Sequence, residues 1–141
     1  MTINEIQDQI IEEFSAFTDW MDRYNYLIEL GNDLPEIDPQ YKTDEYLIQG
    51  CQSRVWLNAV YDNGTVKYTA DSDAIIVKGI AALLIRILND QPPADIVETD
   101  LHFIDRIGLK ENLSPTRSNG LVAMVKKMKL YALAYQAKHN A

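Results

Sequence analysis

The stretch VWLNAVYDNGTVKYTA, residues 55–70, gives the clearest indication of the fold of this chain. Its two halves are rich in β-branched and aromatic residues, which are enriched in strands. Asp62, Asn63 and Gly64 stand between them, and an Asn-Gly pair is a strong hairpin signal because both residues accept the positive φ angles of a tight turn. The stretch therefore predicts two antiparallel strands joined by a short turn.

A long apolar segment follows the hairpin, at residues 74–88. Ser72 is positioned to begin a helix there, and only Lys78 and Arg86 interrupt the apolar surface, so a buried central helix is predicted. A segment of about 15 residues with two charges is too short and too polar to span a bilayer, which argues against a membrane helix.

Amphipathic helices are predicted before the hairpin. Thr2 and Glu5 form a capping box at the start of a first helix. Its apolar side chains fall on one face and are Ile6, Ile10, Phe14 and Phe17. Thr18 is expected to cap a second helix, and Gly31 to end it in the left-handed conformation that follows many helices.

The remaining segments predict a loop, a third short strand and three more helices. In chain order they are a loop at Pro35 and Pro39, a strand YLIQ at 46–49, a helix at 94–98, a helix DLHFIDRI at 100–107 that ends at Gly108, and a final helix from Pro115. The buried stripe of the final helix is predicted to be Leu121, Met124, Val125, Met128, Ala132 and Tyr135.

Helices, an antiparallel sheet and then more helices predict an α+β fold in which the sheet packs against the helices. The 141 residues are expected to form a single domain, residues 1–141, which is large enough to bury a core without disulfides or a metal. One cysteine cannot form an internal disulfide, and the N-terminal segment is acidic and amphipathic, unlike a secretory signal. A cytoplasmic location is therefore predicted.

The charge is unevenly distributed. The chain has 13 Lys and Arg against 21 Asp and Glu, for a net charge of −8, and residues 1–50 contain only Arg23 and Lys42 as basic residues. This acidic half would repel phosphate backbones, so neither nucleic-acid nor membrane binding is expected. The one basic cluster is interpreted as a solvated helix face, with a docking surface for an acidic partner as the alternative. It consists of Lys126, Lys127, Lys129 and Lys138.

Few residues could carry chemistry. The chain lacks a Gly-rich phosphate loop, and Cys51, His102 and His139 match no zinc-binding spacing, so no metal site is predicted. His102 could act as a base for Cys51 in a thiol hydrolase. Cys51 could also be an inert, core-like thiol, or a thiol that exchanges sulfur with a partner.

The sequence around Cys51, LIQGCQSRVWL at 47–57, favours exchange. Gly50 allows a tight turn that presents the thiol, Gln52 and Ser53 supply hydrogen-bond donors, and Arg54 supplies a positive charge that would favour the thiolate. A thiolate can take the outer sulfur of a persulfide on a partner without a second cysteine, whereas a disulfide oxidoreductase needs one.

Four motifs identify a family resemblance that covers nearly the whole chain. They are YLIELGNDLP at 26–35, IQGCQSRVWL at 48–57, DSDAIIVKGI at 71–80 and LSPTRSNGLVAM at 113–124. In this order they resemble the SufE family of sulfur acceptors for cysteine desulfurases.

The resemblance implies an α+β fold shared with the U-type (IscU-like) cluster scaffolds. It implies that Cys51 accepts persulfide sulfur from a SufS-like, pyridoxal-phosphate-dependent cysteine desulfurase and passes it to an iron–sulfur scaffold complex. It further implies that the chain is a carrier and activator rather than an enzyme in the strict sense, without a cofactor of its own, and that the cysteine loop lies beside an apolar cavity. A cluster scaffold, the rival with the same fold, generally needs several thiolates.

The other motif residues receive lesser roles. Gly50, Gln52 and Ser53 are expected to support the cysteine loop. Arg117 resembles a family arginine near the cysteine loop and the partner surface, with a helix-start ion pair as the alternative. Arg54 is a second possible partner contact. Two residues at the start of the central helix, Asp73 and Lys78, are interpreted as structural, Asp73 through the helix dipole.

Overall fold

The predicted hairpin is present and lies among helices, as expected for an α+β fold. The computed structural model describes residues 1–139, so the last two residues of the predicted domain lie outside the described range. The strands are β1, Val55–Asp62, and β2, Thr65–Ser72. The helices are α1, Ile3–Ser15; α2, Trp20–Asn32; α3, Ile75–Leu88; α4, Pro93–Glu98; α5, Phe103–Arg106; α6, Leu109–Asn112; and α7, Pro115–His139. Two short 3₁₀ turns, Pro39–Tyr41 and Asp44–Tyr46, precede the hairpin.

The hairpin turn has the predicted geometry. Asn63 and Gly64 both adopt positive φ angles, 51° and 83°, and Asp62 pairs with Thr65 across them. This two-residue turn matches the twist of antiparallel strands. The local sequence therefore sets the turn and the register of the two strands.

Tyrosines of α7 cover the free edge of β1. Because hydrogen-bonding direction alternates along a strand, Leu57 and Ala59 present their carbonyl groups away from β2. Tyr131 and Tyr135 donate hydroxyl hydrogen bonds to these carbonyl oxygens, at 3.2 and 2.9 Å. The two tyrosines are four residues apart in the helix, a rise of about 6 Å, and the two carbonyl groups are two residues apart in the strand, about 6.8 Å. The spacing of the hydroxyl groups therefore matches that of their acceptors. α7 thus protects an edge that could otherwise pair with another strand.

The edge of β2 is covered by the segment after α3. Val66 donates its backbone N–H to the carbonyl oxygen of Gln91 at 3.0 Å, and Tyr68 donates its own to the side-chain oxygen of Asn89 at 2.7 Å. A two-stranded ribbon is only marginally stable alone, so these contacts and the helix packing stabilise it.

α3 is the buried central helix that the sequence predicts. Nine of its fourteen residues are buried. The prediction that Ser72 begins this helix was wrong: Ser72 ends β2, and Ala74 occupies the cap position. The Ser72 hydroxyl does accept the Ala74 backbone N–H, at 3.2 Å, which explains the misleading signal.

The predicted role of Gly31 was also wrong. Gly31 lies inside α2, where its helix crosses α3 beside Gly79. A Cβ atom on Gly31 would lie 2.9 Å from the backbone nitrogen of Gly79, and one on Gly79 would lie 2.2 Å from the carbonyl oxygen of Leu27. The two glycines allow the helix backbones to touch. Asp19, rather than the predicted Thr18, caps α2, because its carboxylate accepts the Met21 backbone N–H.

α1 has the predicted capping box, and Ile10 and Phe14 are buried as expected. The core-facing side also includes Gln7, which the sequence did not indicate. Its side chain donates to the carbonyl oxygen of Asp100 at 3.2 Å and accepts the Phe103 backbone N–H at 3.1 Å. These bonds satisfy a fully buried amide and attach α1 to α5. Ile6 and Phe17, predicted on the buried face, are only half-buried.

The C-terminal helices differ from prediction mainly in length. The expected helix at 100–107 is reduced to α5, and Gly108, at φ 70°, begins α6 in addition to ending the preceding turn. Pro115 begins α7 as predicted. Within residues 1–139, no helix is both long and apolar enough to cross a membrane. The predicted stripe residues that are fully buried in α7 are Leu121, Met124, Met128 and Ala132, whereas Val125 and Tyr135 are half-buried.

Candidate functional site

The segment before Cys51 is a loop rather than the predicted strand. Residues 46–49 form no strand; Leu47 makes a single bridge to Trp56, and Ile48 donates its backbone N–H to the carbonyl oxygen of Val55 at 2.9 Å. The apolar run was too short to distinguish a strand from a packed loop. Cys51 is therefore held between a 3₁₀ turn and β1.

Gly50 has the unusual backbone conformation that its position before Cys51 suggested. Its φ angle is 91°, a region that residues with a Cβ atom rarely adopt. A Cβ atom built there would lie 3.9 Å from the Cβ of Ala123 in α7, so strain and not crowding selects glycine. The turn at Gly50 directs the chain toward α7, which brings Cys51 against that helix.

The Cys51 thiol is half-buried against the second turn of α7. Its Sγ lies 3.9 Å from the carbonyl oxygen of Gly120, and a Cβ atom on Gly120 would lie 3.7 Å from Sγ. Burial raises the pKa of the Cys51 thiol. The expectation that Arg54 would favour the thiolate is therefore wrong for this conformation, because burial opposes ionisation and no charge within residues 1–139 offsets it.

A small pocket adjoins the thiol. Its volume, about 10 Å³, is near the minimum that holds one water molecule. Gln52 and Ser53 of the loop line it together with Arg117, as the sequence suggested, and the remaining lining is mostly apolar or backbone. Those remaining lining residues are Val55, Val77, Thr116 and Gly120. The structure thus brings the predicted loop residues and Arg117 to one place around Cys51.

The C-terminal end of the loop is fixed by hydrogen bonds that the sequence analysis missed. The carboxylate of Asp73 accepts the backbone N–H of Arg54 at 3.0 Å. The carbonyl oxygen of Arg54 accepts the Asp73 backbone N–H at 3.2 Å and the Ser72 hydroxyl at 2.8 Å. Asp73 therefore supports the cysteine loop, a more specific role than the expected interaction with the helix dipole. The side chain of Arg54 is exposed.

A neighbouring charge cluster stabilises the same corner of the fold. Asp71 accepts ion pairs from Lys42 at 3.0 Å and Lys78 at 3.3 Å. Burial would raise the pKa of Asp71, but hydrogen bonds from both lysines and the Ser72 backbone outweigh it, and the pKa is lowered. Lys42 also lies 5.0 Å from the centre of the Trp56 ring. Lys78 is structural, as predicted.

The thiol-hydrolase arrangement is absent from the residues described. His102 lies 3.8 Å from the carboxylate of Asp8 on α1, and no histidine lines the pocket of Cys51. Within residues 1–139, no three His, Cys, Asp or Glu side chains are grouped so that they could hold a metal ion. What the arrangement offers chemically is one thiol, held on a glycine turn and partly shielded from water.

The fold and the site together define an α+β protein that carries one half-buried thiol on a short loop between a helix and a hairpin. Comparisons with known proteins agree with this class. The SufE family model, described as an Fe-S metabolism associated domain, matches residues 8–132. The chain belongs to the SufE family, and with it to proteins associated with iron–sulfur metabolism.

Relatives support the assignment over most of the chain. A SufE-like protein of Rhizobium etli is 42% identical over 127 residues, which are 86% of each chain. A SufE-like protein of Synechocystis is 40% identical over 91% of this chain and 80% of the relative. SufE-like protein 1 of Arabidopsis thaliana, described as chloroplastic/mitochondrial, is 37% identical over 92% of this chain but only 35% of its own length.

A solved structure supports the fold. The solution structure of a hypothetical protein from Thermus thermophilus superimposes with a TM-score of 0.76 and covers 92% of this chain and 94% of its own. Its sequence is 24% identical, so it is a comparison of folds alone.

Proposed function

We propose that Cys51 accepts sulfur, as a persulfide, from a pyridoxal-phosphate-dependent cysteine desulfurase and passes it to iron–sulfur cluster assembly. Clearing the persulfide from the desulfurase would also accelerate that enzyme. The observation that carries the proposal is the position of Cys51, a lone thiol on a glycine turn with a small pocket beside it. Membership of a family associated with iron–sulfur metabolism supports it.

The transfer step needs no second cysteine and no external oxidant. The Cys51 thiolate attacks the outer sulfur of the persulfide on the desulfurase; a new S–S bond forms at Cys51 while the old one breaks, and the desulfurase thiolate leaves. The thiol proton of Cys51 goes to solvent or to the departing thiolate. One persulfide is consumed and one is formed, so electrons balance.

The geometry supports protection of the cargo in the resting state. The pocket beside Sγ has a volume of only about 10 Å³, and its lining is largely apolar or backbone. Burial raises the pKa of the thiol, so we expect Cys51 in this conformation to react slowly with oxidants and alkylating reagents. The desulfurase would then have to move the loop at 50–53 outward to expose the thiol.

Two arginines are positioned for contact with a partner. Arg117 lines the pocket in the first turns of α7, and Arg54 is exposed at the end of the loop. We propose both as partner contacts, since neither forms a salt bridge within the described residues. Pyridoxal phosphate belongs to the desulfurase in this proposal, and this chain contributes no cofactor. A reducing compartment such as the cytoplasm would keep Cys51 available.

The test is intact-mass and peptide mass spectrometry after the protein is mixed with a cysteine desulfurase of the same organism and L-cysteine. We expect a gain of one sulfur atom on Cys51 that thiol reductants remove, and no gain in Cys51→Ser. Desulfurase turnover should rise with the wild-type chain only. Absence of both effects, with a desulfurase shown to be active, would leave Cys51 as an inert thiol.

Replacement of His102 separates this function from a thiol hydrolase. His102→Ala should load sulfur at the wild-type rate, because His102 does not line the Cys51 pocket. Loss of activity in that variant would favour the hydrolase.

A further inference from the structure

A larger groove lies beside the Cys51 loop, and the sulfur-transfer chemistry does not use it. Segment 47–50 forms one wall and α7 the other, around a volume of about 440 Å³. The α7 residues recur every three or four positions, so they form one stripe along the helix. The residues that matter to the argument are Gly50, Val122, Ala123, Lys126, Lys127 and Leu130, hereafter the α7 groove.

Part of the apolar lining of the α7 groove faces solvent. The side chains of Val122 and Leu130 are 51% and 49% exposed, although most apolar residues on the other face of α7 are buried. Apolar side chains that line a concave surface next to a reactive loop are suited to receive an apolar side chain of another protein.

The groove also offers positive charge on the surface of this acidic protein. Lys126 and Lys127 form no salt bridge within residues 1–139, whereas Lys42, Lys67 and Lys78 all do. The net charge of the whole chain is −8. A partner surface with carboxylates is therefore attracted to this groove and repelled by the acidic helices at the other end of the sequence.

We propose that the α7 groove is the recognition site for the desulfurase, and that it receives an apolar side chain flanked by carboxylates. This inference rests on the proposed function. In this inference Val122, Leu130 and the two groove lysines recognise the desulfurase, and Cys51 carries out the sulfur transfer. The basic cluster read from the sequence is thereby divided: Lys126 and Lys127 bind the partner, while Lys129 donates to the carbonyl oxygen of Thr99 and is structural.

The groove is placed to couple binding to exposure of the thiol. Gly50 lines the groove and directly precedes Cys51, whose Sγ touches Gly120 on the same helix. An occupant that presses on segment 47–50 therefore acts on the loop at its N-terminal end. The C-terminal end stays fixed, because Arg54 is bonded to Ser72 and Asp73. Binding energy gained in the groove can in this way be used to swing Cys51 out of its pocket.

The test compares matched pairs of exposed residues on α7. Leu130→Ser and Lys126→Glu alter the groove. Leu133→Ser and Lys138→Glu make the same changes on the same helix outside it, and Leu130 and Leu133 are equally exposed, at 49%. All four side chains are exposed, so the fold should be retained, which circular dichroism and urea unfolding will verify.

Affinity for the desulfurase is measured by titration calorimetry, and sulfur loading of Cys51 by mass spectrometry at saturating protein. We expect each groove variant to weaken binding on the order of tenfold, and each control to bind as the wild type does. The defect of Lys126→Glu should shrink in high salt, and that of Leu130→Ser should persist. At saturation, loading should be normal in the two controls and slower in the two groove variants, because the binding energy lost from the groove no longer helps to open the loop.

Two results would overturn the inference. The first is that the groove variants bind the desulfurase as tightly as the wild type does. The second is that the control variants weaken binding as much as the groove variants do. Either result leaves the proposed function intact if wild-type Cys51 still gains sulfur. Failure of wild-type loading, in contrast, removes the proposed function itself and the recognition role with it.

Discussion

The α2–α3 crossing and the contact between Cys51 and α7 both depend on glycine, but they tolerate added volume very differently. A Cβ atom on Gly79 would lie 2.2 Å from the carbonyl oxygen of Leu27, whereas one on Gly120 would lie at an ordinary contact distance of 3.7 Å from the sulfur of Cys51. The first contact joins two helix backbones and cannot relax without moving α2. The second joins a helix to a short loop and leaves space beside the thiol.

The difference separates a rigid platform from a movable loop. α3, the hairpin and α7 are joined by buried side chains and by the tyrosine bonds to β1, so they hold a fixed shape. The Cys51 loop is bonded at Arg54 after the thiol and at Ile48 before it, whereas Gly50, between Ile48 and the thiol, has no side chain to pack against α7. A carrier needs this combination, because its thiol must move while its docking surface stays in place.

The difference between the two contacts can be tested by adding a methyl group at Gly79 and at Gly120. We expect Gly79→Ala to lower the free energy of unfolding by about 3 kcal/mol or more, because overpacking against backbone forces the helices apart. Gly120→Ala should raise it by as much as about 1 kcal/mol, through the higher helix propensity of alanine. Urea unfolding followed by circular dichroism measures both. Equal effects of the two substitutions would show that the contacts are equally rigid.

The Gly120→Ala variant also tests the space beside the thiol. A methyl group at this position enters the pocket of Cys51. We therefore expect the more stable variant to hold less persulfide under conditions that load the wild type, measured by mass spectrometry. Unimpaired loading would mean that the pocket does not house the outer sulfur.

A second prediction concerns the hinge end of the loop. Gly50→Val places a β-branched residue at a φ of 91°, which costs on the order of 1–3 kcal/mol of strain. The loop must abandon this turn or hold it poorly, so we expect sulfur transfer to slow more than desulfurase binding weakens. Single-turnover loading and calorimetry separate the two. If rate and affinity fall by the same factor, Gly50 has no separate role in loop movement.

How far the sequence predicts this contrast depends on the range of each contact. The hairpin, the capping box and the start of α7 depend on neighbours within four residues, and local patterns predicted them correctly. Gly31 was assigned wrongly because a helix-ending glycine and a helix-crossing glycine look the same until Gly79 is placed beside it. The backbone conformation of Gly50 was predicted correctly. Its place in the same groove as Ala123 could not be predicted, since the two residues are 73 positions apart in the sequence.

The bonds at Arg54 were missed for the same reason. Asp73 stands just before a helix, which favours a dipole or capping role, and only the tertiary fold shows that its carboxylate turns back to the loop. The resemblance to the SufE family predicted that Cys51 and its neighbours form one functional loop. It did not predict the positions of Asp71, Lys42 and Asp73 around that loop.

A third prediction loosens the fixed end of the loop. Asp73→Ala removes the carboxylate that accepts the Arg54 backbone N–H, and should lower the free energy of unfolding by about 1 kcal/mol. The Cys51 thiol should react faster with iodoacetamide, because the loop opens more often. Asp73→Asn, which keeps an acceptor oxygen, is the matched control and should lie close to the wild type. Unchanged alkylation in Asp73→Ala would place the controlling contact elsewhere in the loop.

The smallest expected effect concerns pH. Burial raises the pKa of Cys51, so the folded state favours the neutral thiol. The unfolded thiol titrates near its ordinary pKa of about 8.5. Below that pH the thiol is neutral in both states and the stabilisation is fully present; as pH rises through the folded pKa, ionisation favours the unfolded chain and the stabilisation is lost.

Alkylation rates measured against pH test this directly. The rate for the folded protein should rise at a higher pH than the rate for the chain in urea, because the thiolate is the reacting species. Adding the desulfurase, with its own cysteines replaced so that only Cys51 is alkylated, should move the folded profile toward the unfolded one if docking exposes the thiol. A pH profile of the folded protein that already coincides with that of the unfolded chain would mean that the loop is open at rest. The loop would then differ from the platform in its place in the fold, but it would not shield the Cys51 thiol.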